Sequence, residues 1–168
     1  MFEELASIGV TFREVTPQDE DFLCRLYAST REEELSVTGW PRELKAEFLR
    51  QQFQAQSAHY DLHYRSAGAD FRVILLHGVP QGRLYIYQSE KEIRLVDIAL
   101  MPETRGKGVG TAVLHHVLAT AAQACLPVTI HVEKNNPAMN LYKRLGFSAV
   151  GEHGCYDLMA CPTGHLIS

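Results

Sequence analysis

The chain has 168 residues, of which 46% are hydrophobic and 21% charged, and its formal net charge is -4. That length buries one full core without disulfides or metals, so a single domain spanning residues 1–168 is expected. The mild acidic excess gives no electrostatic case for nucleic acid as a partner. No stretch approaches the length of a membrane span, and no basic segment leads into an apolar run after Met1; no membrane association and a cytoplasmic location are expected.

Residues 9–15 alternate apolar and polar side chains and are rich in β-formers, which predicts a first strand. Thr16-Pro17 opens a helix, with Thr16 as cap and Asp19, Glu20 and Asp21 in its first turn. Phe22, Leu23, Leu26 and Tyr27 fall at helical spacing, and the helix is expected to end by Thr30. Glu32, Glu33 and Glu34 then break the pattern before Gly39-Trp40-Pro41, which reads as a loop or a solvated helix end. A second helical pattern occupies 42–64.

Three strands follow, at 71–77, 83–87 and 93–101, with turns at 78–82 and 89–92, so they form an antiparallel meander ended by Pro102. Val109, Ala112, Val113, Val117, Leu118 and Ala121 make the apolar stripe of a helix. The strand at 128–132 is reached through that helix, so it should lie parallel to 93–101. Pro137 starts a short helix closed by Gly146, and strands near 147–150 and 155–160 finish the chain. Cys24, Cys125, Cys155 and Cys161 are irregularly spaced, as reduced thiols are, with no zinc or redox pattern.

The sharpest feature is Arg105-Gly106-Lys107-Gly108-Val109-Gly110, between an apolar strand and an amphipathic helix. Alternate glycines let the backbone turn and approach a ligand closely. The helix behind them presents unpaired N–H groups and partial positive charge, and Arg105 and Lys107 add full charges; a polyanion such as a diphosphate suits this best. A dinucleotide fold is tempting because Glu133 stands where a ribose-binding acid would. The third glycine of that fingerprint is missing, however, and the preceding strand ends a meander where it should start the chain. The phosphate-loop NTPase signature fails because Gly108 follows Lys107 where Ser or Thr is required.

Arg105 to Gly110 after Leu100-Met101-Pro102 resembles the acyl-CoA pyrophosphate loop of the GCN5-related N-acetyltransferases. The run Val132, Asn135, Ala138, Leu141, Tyr142, Gly146, Phe147 resembles the second motif of that family, in order and at its usual spacing. The motifs cover about residues 97 to 147, and the β-α-α-β-β-β-α-β-α-β-β order read from the pattern matches that family across nearly the whole chain. The resemblance implies the acyl-CoA N-acyltransferase fold: an α/β (α+β) domain with a mixed, mostly antiparallel sheet, central parallel strands that splay apart, and flanking helices.

It also implies acetyl-CoA as cosubstrate, no metal, and transfer of acetyl to a primary amine by direct attack. The cofactor would contact Ile98, Ala99 and Leu100, the loop Arg105, Gly106, Lys107, Gly108, Val109, Gly110 with Thr111, and Asn135 and Tyr142. A backbone N–H near Ile98 or Leu100 would hold the oxyanion. Tyr142 would be the general acid for the departing thiolate, although a tyrosine on a short apolar helix also suits a core, and Asn135 could serve as a helix cap.

The general base is open among Asp97, Glu92, His131, Glu32 to Glu34, and water; Arg94 cannot serve. Asp97 and Glu92 lie an odd number of residues apart and face opposite sides of an unbulged strand, and Asp97 is taken as the candidate. The acceptor site would be built by the first two helices and their loop, where Glu32 to Glu34 and Trp40 would suit a cationic amine. A non-catalytic acyl-CoA-binding sensor or partner module is the alternative, disfavoured by Tyr142. The closing strands can pair across a two-fold in such folds, and the sequence does not decide between monomer and homodimer.

Overall fold

The computed structural model describes residues 2–162; residues 1 and 163–168 of the expected domain lie outside the described residues. A short helix α1 (Phe2–Ser7), which the sequence pattern did not announce, leads into β1 (Val10–Glu14). Helices α2 (Glu20–Ser36) and α3 (Arg42–His63) follow, then strands β2 (Asp70–Leu76), β3 (Val79–Gln88) and β4 (Ile93–Leu100). After the glycine loop come α4 (Val109–Gln123), β5 (Val128–Glu133), α5 (Met139–Arg144), β6 (Ser148–His153) and β7 (Tyr156–Cys161).

The strands form one seven-stranded sheet in the order β1-β2-β3-β4-β5-β7-β6. All neighbours are antiparallel except β4 and β5, which are parallel as the intervening helix requires. A main core joins Ile74, Leu84, Ile93, Leu95, Val128 and Ile130 of the sheet to Val113, Leu114 and Val117 of α4. On the opposite face α2 and α3 pack together through Leu23, Tyr27 and Phe53. No described helix is long and apolar enough to cross a membrane.

Three element boundaries differ from the sequence reading. The 78–82 turn shrinks to His77 and Gly78, because Val79 already pairs with Leu76. Pro17–Asp19 forms a 3-10 turn whose capping box joins Thr16 to Asp19, and the α-helix begins only at Glu20. That helix runs past Thr30 to Ser36, so Glu32 to Glu34 are helical rather than a loop. Leu35 continues the buried side of α2, at 6% exposure, and Arg31 pairs with Glu34 one turn on; a charge run of this kind supports a helix as readily as it ends one.

Candidate active site

The site is shaped by one extra residue in β4. Tyr85 pairs with Asp97 but the next residue, Ile86, pairs with Leu95, so Val96 is a β-bulge. A bulge bends its strand, and β4 leaves β5 there: their parallel pairing covers only Ile93 with Val128, Arg94 with Thr129 and Leu95 with Ile130. Beyond Ile130, β5 continues to Glu133 paired only with β7 on its other side. The open wedge between the two strands is the splay expected of the fold.

Strand alternation fixes which amides face this wedge. Met101 N–H donates to the Gln81 carbonyl on the β3 side at 2.7 Å. The amides of Asp97 and Ala99 share that direction, and those of Ile98 and Leu100 point the other way, into the wedge. The side chains of Ile98 and Leu100 meanwhile pack against the α4 core. Two donors thus stand in an opening where the sheet supplies no partner.

At the top of the wedge Gly106 and Gly108 adopt φ of 73° and 83°, the left-handed region that costs other residues about 1–2 kcal/mol. Gly108 is the N-cap of α4, and the first α4 bond returns from Ala112 N–H to the Gly108 carbonyl at 3.0 Å. The N–H groups of Val109, Gly110 and Thr111 therefore have no acceptor within the helix, the arrangement that binds anions. Gly110 is different: a side chain there would only touch Leu100 Cδ1 at 3.6 Å.

Lys107 is exposed at the loop tip. Arg105 is partly spent on structure, since its Nε donates to the Leu100 carbonyl at 2.9 Å and its Nη2 to Ser29 Oγ at 3.3 Å. It braces the loop against both β4 and α2, a role not foreseen from its charge.

Tyr142 lies on α5, 4% exposed, with its ring edge-on to Phe147 at 5.8 Å. Burial first, and the charge of Asp97 second, push its phenol up to about 12. It therefore carries its proton at neutral pH and can donate it. Asn135 is exposed in the turn before α5 and caps no helix; the side-chain bond in that turn comes from Asn136, whose Oδ1 accepts from Ala138 N–H at 2.8 Å, while the α5 N-cap itself, Ala138, has no side-chain cap.

Asp97 faces the side of the sheet covered by α3. Its Oδ2 accepts from the Tyr60 phenol at 2.8 Å and from Arg83 Nη2 at 2.5 Å. Arg83 is 3% exposed, also donates from Nη2 to Gln56 Oε1 at 2.8 Å, and stacks 5.0 Å from the Tyr85 ring. Tyr60 is held well above the usual tyrosine range, by burial first and then by the charge of Asp97, so it remains a donor. Sequence reading missed Tyr60, Arg83 and Gln56. Arg83 and Asp97 did carry a signal, as charged residues inside otherwise apolar strands.

The bulge also corrects the facing of Glu92 and Asp97. It shifts the alternation by one, so Arg94, with Glu92 bonded to it, shares the face of Asp97. Glu92 Oε1 accepts from Arg94 Nη2 at 3.3 Å and its Oε2 accepts from the Thr129 hydroxyl. Arg94 reaches Thr129 Oγ1 from Nε at 2.7 Å and His131 Nδ1 from Nη1 at 3.3 Å. These four side chains tie β4 to β5 just below the wedge. His131 is pushed down by burial, then by Arg94, and its basic nitrogen already has a donor.

The acidic triplet is exposed on the last turns of α2, and Glu34 accepts from Arg31 Nη2 at 3.0 Å. Trp40 packs edge-on against Phe48 at 5.4 Å. Among the described residues no group of three or more His, Cys, Asp or Glu side chains could hold a metal ion.

Comparison with known proteins agrees with this geometry. The model of the acetyltransferase (GNAT) family matches residues 25–147. Among curated proteins none matches the chain in sequence. Among solved structures it is similar to the PaiA N-acetyltransferase of Thermoplasma acidophilum in complex with coenzyme A, with TM-score 0.67 and 16% identity over 91% of this chain and 98% of that one. An acetyltransferase of Thermus thermophilus gives TM-score 0.65 and 19% identity over 91% and 96%. Ard1 of Thermoplasma volcanium gives 0.61 and 19% over 93% and 99%. At these identities the structures speak for the fold, and the family model, which spans most of the chain, speaks for descent: the chain belongs to the acetyltransferase (GNAT) family and is an acetyl-CoA-dependent N-acetyltransferase.

Proposed function

We propose that the chain acts as one domain that moves the acetyl group of acetyl-CoA to a primary amine by direct attack through a tetrahedral intermediate. The observation that carries this reading is the wedge beside Val96, with the Ile98 and Leu100 amides facing it and Tyr142 in the same core that the Ile98 and Leu100 side chains pack against. An amide aimed at the thioester oxygen stabilises the oxyanion as it forms. The diphosphate sits on the Gly106 to Thr111 amides with Lys107 beside them, and Asn135 contacts the cofactor from the turn before α5.

A lysine-like amine has a pKa of about 10.4, so about one molecule in 10³ is neutral at pH 7 and the proton must leave during attack. Asp97 is the carboxylate that meets the incoming nitrogen. Glu92 has both oxygens engaged, and His131 has its lone pair engaged, so neither competes with it. As the C–N bond forms and the C–S bond breaks, the phenol of Tyr142 gives its proton to the departing thiolate.

Glu32 and Glu33 supply negative charge at the acceptor end of α2, which favours a cationic amine. The test is release of free thiol from acetyl-CoA over a panel of polyamines, aminoglycosides and lysine peptides. Amine-dependent release is expected, slowed for polycations in E32Q/E33Q. Tight coenzyme A binding with no turnover on any amine would contradict the reading.

A further inference from the structure

We propose that Tyr60 and Arg83 are positioning residues for acetyl transfer: acting through Asp97, they hold the bulged segment of β4 so that the carboxylate and the neighbouring Ile98 amide stay registered on the wedge. The inference rests on the role given to Asp97 above and extends it to side chains that touch neither substrate.

Asp97 directly follows the bulge residue Val96 and directly precedes Ile98. A bulged residue lacks the ladder bonds that fix a regular strand, so something else must hold this stretch. The clamp comes from two other elements: the Tyr60 phenol from α3 and the Arg83 guanidinium from β3 converge on the same oxygen, at 2.8 Å and 2.5 Å. Gln56, one helical turn before Tyr60, holds Arg83 in turn at 2.8 Å. The ring of Tyr60 is itself fixed edge-on against Phe71 and Tyr85, at 6.4 Å and 5.8 Å.

A buried ion pair of this kind is a poor source of stability, because desolvating both charges offsets their attraction. What it does supply is one geometry, and it does so at the point where the strand must bend. The same side chains leave the glycine loop untouched, so the acetyl-CoA grip should not depend on them. Arg83 donates to both Asp97 and Gln56 from a single nitrogen, Nη2, so a lysine ammonium can replace it in part.

The test compares Tyr60→Phe, Arg83→Lys, Arg83→Gln and Asp97→Asn in the full chain, measuring kcat, KM for acetyl-CoA and coenzyme A affinity. Tyr60→Phe should lower kcat by about tenfold with KM for acetyl-CoA within about twofold. Arg83→Lys should recover at least about a third of the rate that Arg83→Gln loses. Should Arg83→Gln fail to fold, Tyr60→Phe decides, since a phenyl ring keeps the aromatic packing. An unchanged kcat in Tyr60→Phe beside a lowered one in Asp97→Asn would overturn the positioning role and leave the reading of Asp97 standing. An unchanged kcat in Asp97→Asn would remove that reading and the positioning role with it. A loss of kcat matched by an equal loss of coenzyme A affinity would also overturn it, as the mark of general disruption.

Discussion

The guanidinium of Arg94 lies 3.3 Å from Nδ1 of His131. A guanidinium can only donate, so Nδ1 carries the lone pair and the neutral ring holds its proton on Nε2. The one basic nitrogen of His131 is thereby occupied, and an attractive histidine beside the wedge becomes part of a tie between β4 and β5. His131→Ala should keep kcat within about threefold of the parent. A loss of a hundredfold, rescued by added imidazole, would make His131 the base and displace Asp97.

As the proposed proton donor, Tyr142 should set the alkaline side of the pH profile. Its phenol is raised from 10.0 to about 12, so kcat at saturating amine should hold until well above pH 10. Replacing Asp97 by Asn removes the second cause of that shift and leaves burial, the first; on the residual rate the alkaline limb should move down while staying above 10. The stability sign is the same. A folded value above the unfolded one means that the Tyr142 contribution is complete below pH 10 and is lost as pH rises through about 12. Denaturant melts at rising pH, compared with Tyr142→Phe, read this directly.

Gly108 and Lys107 should separate shape from charge in the loop. Gly108→Ala forces a side chain into a φ of 83° at the α4 N-cap, and KM for acetyl-CoA should rise by about tenfold at any salt. Lys107→Ala removes an exposed charge, so its cost should be largest in dilute buffer and fade by about 0.5 M salt. Equal salt dependence in the two variants would refute the division.

Away from the site, Asp19 anchors the start of the first long helix. Arg13 donates to both of its oxygens, at 2.8 Å and 2.7 Å, and Thr16 N–H adds a third bond at 2.8 Å. The Arg13 hydrogen bonds are the largest reason its carboxyl is lowered from 3.8 to about 2. Arg13 is 40% exposed and water screens the pair, so Asp19→Asn should cost about 1–2 kcal/mol at neutral pH. That difference from the parent is full above pH 3.8 and disappears as pH falls through about 2.

Much of this was legible in the chain because it rests on local chemistry. The meander, the parallel return at Val128 and the glycine loop at the start of α4 follow from strand patterns, one intervening helix and glycines at fixed positions. The bulge was not legible: Leu95-Val96-Asp97 contains no glycine or proline, and only pairing against β3 shows that Val96 is extra. Every conclusion about which carboxylate faces where turned on that residue. The clamp on Asp97 was hidden for a related reason, since Tyr60 meets it only through the packing of α3 on the sheet and Arg83 only through the bulged β3–β4 register. The end of α2 was misjudged because Glu32 to Glu34 look like a break, although Leu35 behind them is buried.

The central claim is that the wedge both binds acetyl-CoA and hands the thiolate a proton from Tyr142. Its most direct test is Tyr142→Phe, with single-turnover acetyl transfer and coenzyme A affinity measured on the same preparation. Transfer should fall by about 10²-fold while the dissociation constant of coenzyme A stays within about threefold. Transfer at the parent rate with coenzyme A bound as tightly would contradict it and return Tyr142 to the core.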